Sequence, residues 1–82
     1  MNKVNIEGKI DAIDEILQSS FTIVFNDKRG EEVFICCLSI AYDEKFKDII
    51  KEGNIVRIVG QIGCDPDGEN IIYPEHIEKV NN

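Results

Sequence analysis

A seven-residue pattern occurs twice in this chain: Val4-Asn5-Ile6-Glu7-Gly8-Lys9-Ile10 and Val56-Arg57-Ile58-Val59-Gly60-Gln61-Ile62 both read V-x-I-x-G-x-I. Apolar and polar residues alternate through each copy, the period of a strand buried on one face. Each glycine falls on an apolar, inward position. Glycine weakens a strand, so its use there points to a bulge, a tight coil or close backbone approach. Two strands that bend at matched points predict a sheet that closes into a barrel.

The rest of the chain supplies three more strands and a helix. Residues 3–13 form the first strand, and 13–20 are a connection. Phe21, Ile23 and Phe25 alternate on one face of the second strand. Asn26-Asp27-Lys28-Arg29-Gly30 is a turn leading to a third strand over 32–40, rich in Val, Phe, Ile and Cys. A helix is expected from about Tyr42 or Asp43. Phe46, Ile49 and Ile50 make its apolar stripe and Gly53 its cap. The fourth strand is 55–64, and Asp65-Pro66-Asp67-Gly68 is a turn. The fifth strand spans 70–80, with Pro74 marking an edge, bulge or break. The order β-β-β-α-β-β predicts an all-β domain with one short helix. It is a five-stranded Greek-key barrel, the OB-fold, with its first and fourth strands adjacent.

Composition narrows the function. With 82 residues the chain is one domain, 1–82, and with 43% hydrophobic and 30% charged residues it folds rather than staying disordered. No apolar run reaches the ~20 residues of a membrane span, and no signal-peptide core is visible, so a cytoplasmic location is expected. Cys36, Cys37 and Cys64 show no C-x-x-C spacing, and His76 is the single histidine, so neither a metal nor a cofactor is expected. No catalytic constellation appears, so the chain reads as a non-enzyme. The net charge of −7 opposes generic binding of polyanions unless the few cations share one face.

The opening Met1-Asn2-Lys3-Val4-Asn5-Ile6-Glu7-Gly8-Lys9-Ile10 resembles the first strand of bacterial single-stranded DNA-binding proteins, which begin N-x-V-x-L-x-G-x-L. Glu52-Gly53-Asn54-Ile55-Val56-Arg57-Ile58-Val59-Gly60-Gln61-Ile62 is similar to that family's K-G-x-x-V-x-V-x-G-x-L element. Related primosome proteins share the barrel. The resemblance covers essentially the whole chain. It implies an OB-fold, a dimer or tetramer, a role in DNA replication beside a partner replication protein, and single strands held on basic, aromatic surfaces. Some of the family's features are missing. Val33 takes the place of its third-strand tryptophan, Ser39 that of a phenylalanine, and its acidic, phenylalanine-ended tail has no counterpart in these residues.

Alternation assigns Lys3, Lys9 and Arg57 to the outer sheet surface and Lys28 and Arg29 to the hairpin tip. These five are the candidate phosphate contacts. The phenylalanines are read as core, which leaves Tyr42 and Tyr73 as candidate stacking residues. On the third strand Phe34, Cys36, Leu38 and Ile40 are read as inward. Val33, Ile35 and Cys37 then form an outward apolar stripe, the candidate oligomer interface. Two functions follow: single-stranded DNA binding by an oligomer, or a protein–protein interaction module that has lost its nucleic-acid face.

Overall fold

A computed structural model of the chain describes residues 2–14, 20–38, 46 and 48–80. Its strands are β1 (Asn2–Ile13), β2 (Ser20–Asn26), β3 (Glu32–Leu38), β4 (Ile55–Cys64) and β5 (Asn70–Lys79). They close into a barrel in the order β1-β2-β3-β5-β4, with β4 returning to β1. All neighbours are antiparallel except β3 and β5, which run parallel. This is the OB-fold barrel expected from the sequence. Most of the expected helix, with Tyr42, Ser39 and Ile40, lies outside the described residues. Its described part is one turn, in which the Ile49 and Ile50 N–H groups donate to the Phe46 carbonyl at 3.0 and 3.1 Å.

The doubled motif explains the junction of β1 and β4. Val4 pairs with Gly60, Ile6 with Ile58, and Gly8 with Val56. The two copies therefore run antiparallel around one centre, each glycine facing the other copy's valine. Both glycines serve close approach. A Cβ on Gly8 would meet the Val24 carbonyl oxygen at 3.0 Å. A Cβ on Gly60 would run into the Tyr73 carbonyl oxygen and would stand 2.8 Å from the Pro74 Cα. There β5 carries a bulge: Val59 pairs with His76 and Gly60 with Pro74, leaving Glu75 as the extra residue. Pro74, which has no N–H for the ladder, therefore sits at the bulge.

The barrel is filled by Ile10, Phe21, Ile23, Ile35, Cys37, Val56, Ile58, Ile72 and Ile77, with Phe46 and Ile50 packed against them. Val4, Ile6, Phe25, Val33 and Ile62 complete its rim. The outward assignment of Val33, Ile35 and Cys37 is thus corrected: Ile35 and Cys37 are buried, Val33 is half-buried, and all three belong to the core. Phe34, read as inward, is 56% exposed. The hairpin sets this parity. Phe25 pairs with Val33 and Ile23 with Ile35, so the inward face of β2 carries β3 with it.

Cys37 has a titration consequence. Burial, with a smaller contribution from neighbouring Cys36, pushes its thiol up from 9.0 to about 12. The folded state therefore keeps a proton that the unfolded chain releases. Between those values stability should fall as pH rises, by up to about 1.4 kcal/mol per pH unit. Urea midpoints measured from pH 8 to 11 check this. The decline should be shallower in Cys37→Ala, and an unchanged slope there would refute the assignment.

Candidate nucleic-acid interface

One row of side chains crosses the outside of four adjacent strands. Phe34 on β3 pairs with Val24 on β2, Val24 with Lys9 on β1, and Lys9 with Ile55 on β4. Directly paired residues point to the same side of a sheet, so these four share the outer surface. The next row, Cys36 with Thr22 and then Ala12, and the pair Leu38 with Ser20 continue it. Phe34 and Lys9 are exposed, while Val24, Thr22, Cys36 and Leu38 are half-buried. The β2–β3 face is the usual ligand platform of an OB barrel. Here it presents a flat ring in an apolar setting, with an ammonium group two strands away.

The hairpin tip adds two cations. Asp27 Oδ1 accepts from the N–H groups of Arg29 (2.8 Å) and Glu31 (3.0 Å), and the Gly30 N–H donates to the Asp27 carbonyl at 3.0 Å. Gly30 has φ 82°, which an L side chain resists, so the glycine closes the turn. Lys28 and Arg29 occupy the corner with exposed side chains. Among the described residues, the side chains of Lys9, Lys28 and Arg29 make no ion pair.

The other sequence-predicted cations are differently placed. Arg57 lies between Glu7 (3.0 Å) and Glu78 (2.9 Å), its partners in the β1–β4–β5 register. Lys3 pairs with Glu75 at 3.5 Å, and Gln61 Nε2 donates to the same carboxylate at 3.4 Å. Exposed pairs like these add little stability, ~0–1 kcal/mol. They nevertheless occupy both cations with three carboxylates. Tyr73 is half-buried in the Lys3–Gln61–Tyr73 row of this second surface. The structure thus brings Lys9 near the β2–β3 face and sets Lys3, Arg57 and Tyr73 apart from it. Tyr42 lies outside the described residues.

Phe34 is the residue that sequence reasoning missed, and the signal lay in the turns. Asp27-Lys28-Arg29-Gly30-Glu31 and Asp65-Pro66-Asp67-Gly68-Glu69 both read D-x-x-G-E. Both fold alike: Asp65 Oδ1 accepts from Asp67 and Glu69 N–H, and the Gly68 N–H donates to the Asp65 carbonyl. Counting five loop residues places Asn26 opposite Glu32. With Phe25 inward, Val33 must then be inward and Phe34 outward.

Cys36 shares the face with Phe34. Burial raises its thiol pKa, a hydrogen bond with Ser20 works against that, and the charges of Asp65 and Asp14 add to the rise. Among the described residues, no group of three or more His, Cys, Asp and Glu could hold a metal ion, and no helix is long and apolar enough to cross a membrane.

Taken together, the five strands and their closed order β1-β2-β3-β5-β4 are those of an OB-fold barrel. No protein-family model matches the chain, and no curated protein sequence does. Solved structures do. The N-terminal domain of PriB from Thermoanaerobacter tencongensis, described as dimeric, superposes with a TM-score of 0.68 at 16% identity, covering 99% of this chain and 98% of its own. The second single-stranded DNA-binding protein of Mycobacterium smegmatis, SSBb, gives 0.70 at 12% identity, covering 95% and 87%. Rim1, a mitochondrial single-stranded DNA-binding protein of S. cerevisiae, gives 0.64 at 16% identity, covering 99% and 96%. At these identities the likeness is one of fold.

Proposed function

We propose that this protein binds single-stranded nucleic acid, DNA first of all, on the outer face of β2 and β3, without catalysis. Phe34 stacks a base, and Lys9, Lys28 and Arg29 contact phosphates. The observation that carries this reading is the exposed Phe34 ring in one row with Lys9. An aromatic ring beside unpaired cations is the means by which OB-folds hold single strands. The names of SSBb and Rim1 support the same reading.

We also infer self-association. β1 pairs with β4 over Asn2–Lys9 and with β2 over Lys9–Ile13. Among the described residues, its second edge over Asn2–Gly8 is therefore open. An open strand edge is a ready template for pairing with another copy. Sedimentation that found only monomer at high concentration would refute this part.

Labelled oligo-dT titrated at ~20 mM salt tests the binding itself, because phosphate contacts are strongest there. Lys9→Ala should weaken binding about three- to tenfold and flatten the salt dependence. Arg57→Ala should change affinity less than twofold, since its guanidinium is already held by two carboxylates. Equal losses in the two variants would move the site to the β1–β4–β5 surface. Absence of binding at ~20 mM salt would end the nucleic-acid reading and leave the exposed Phe34 face to a protein partner.

A further inference from the structure

We infer that the binding face is closed on one flank by the acidic turn Asp65–Glu69, so that each chain engages only a short stretch of single strand, about four nucleotides, instead of wrapping a long one. This rests on the reading above and deepens it. The two D-x-x-G-E turns share one backbone and differ in charge. The first has Lys28-Arg29 at its corner, and the second has Pro66-Asp67.

Topology puts the acidic turn beside the platform. Ile71 is the parallel neighbour of Cys36, on the flank of β3 away from β2. The turn immediately precedes β5, so in a parallel pair it lies alongside the part of β3 that precedes Cys36, where Phe34 stands. The effect of Asp65 on the Cys36 thiol is the electrostatic sign of this closeness. Asp67 and Glu69 are exposed and make no ion pair among the described residues.

A strand crossing the face thus meets Lys9 on one side of Phe34 and unscreened carboxylates on the other. Lys9, Lys28 and Arg29 can neutralise three phosphates. For single strands that gives a slope of log K against log salt of about −2, or a loss near twentyfold from 50 to 200 mM salt. The footprint falls at the short end of the ~4–16 nucleotides found per OB-fold.

The test is fluorescence anisotropy of the full chain with labelled dT4, dT8 and dT16 at 50 mM salt, beside the Asp67→Asn/Glu69→Gln double variant. Neither side chain builds the turn, which hangs on Asp65 Oδ1. In the natural chain, affinity corrected for the number of overlapping registers should stay flat within about twofold from dT4 to dT16. The double variant should gain at least fivefold on dT16 and less than twofold on dT4. An intrinsic affinity that climbs more than tenfold with length, or a variant that gains alike on both lengths, overturns the short footprint while leaving single-strand binding intact. No binding to any length, at 50 mM or at ~20 mM salt, overturns both readings.

Discussion

Gly60→Ala should lower the thermal midpoint of this protein by about 10–20 °C. Gly60 is not among the positive-φ glycines, so its backbone conformation accepts alanine. The penalty comes from contact alone. The added Cβ would run into the Tyr73 carbonyl oxygen and approach the Pro74 Cα, at 2.8 Å, and the Tyr73 carbonyl carbon, at 3.0 Å. All three atoms are backbone, held by the bulge at Glu75, and none can swing aside. Overpacking of this kind costs ~1–3 kcal/mol or more, and in a domain of this size each kcal/mol shifts the midpoint by ~4–8 °C. Gly8→Ala is the internal control. Its Cβ would meet the Val24 carbonyl oxygen at 3.0 Å and Ile23 side-chain atoms at 3.4 Å, so a slight shift accommodates it. A loss of about 1 kcal/mol is expected there. Thermal unfolding followed by circular dichroism decides the matter. Equal, small shifts in both variants would mean that the β4–β5 bulge is not held by the missing side chain.

Phe34→Ala should weaken single-strand binding about 5- to 150-fold and leave the thermal midpoint within a few degrees of the natural value. The affinity range is that of one base–aromatic stack, ~1–3 kcal/mol. Stability is spared because the ring is 56% exposed, so its removal uncovers little apolar surface and opens no cavity. Phe34→Trp should restore or exceed natural affinity, since a larger ring offers a larger stacking face. Phe21→Ala, by contrast, removes a fully buried ring and should destabilise the barrel by ~3–5 kcal/mol. A Phe34→Ala protein that binds oligo-dT unchanged would show that the β2–β3 platform is not where bases lie.

The two expectations rest on features of unequal legibility. The V-x-I-x-G-x-I copies show their inward residues because their outward positions are mostly polar: Asn5, Glu7 and Lys9 in one copy, Arg57 and Gln61 in the other. The same holds for the turns, whose Asp and Gly positions carry their own hydrogen-bond chemistry. Val33-Phe34-Ile35-Cys36-Cys37-Leu38 has no polar phase, so alternation within it says nothing about which side faces in. Its parity was available only through the hairpin, by counting across the turn to Phe25. The cations were similarly half-legible. Alternation placed Arg57 and Lys3 outside, but their carboxylate partners are remote in sequence: Glu7 lies 50 residues from Arg57.

Given the strand order of an OB-fold, which makes the first and fourth strands neighbours, local chemistry in the sequence alone determined the strands, their bends and the turns. These follow from periodicity and glycine sterics, which act over a few residues. Tertiary structure decided which apolar face of β3 is buried, that Phe34 is presented to solvent in line with Lys9, and that Lys3 and Arg57 are engaged by carboxylates. Those outcomes depend on cross-strand register and barrel closure. Register and closure bring distant residues into contact, and a one-residue change of parity would exchange core for surface along the whole strand.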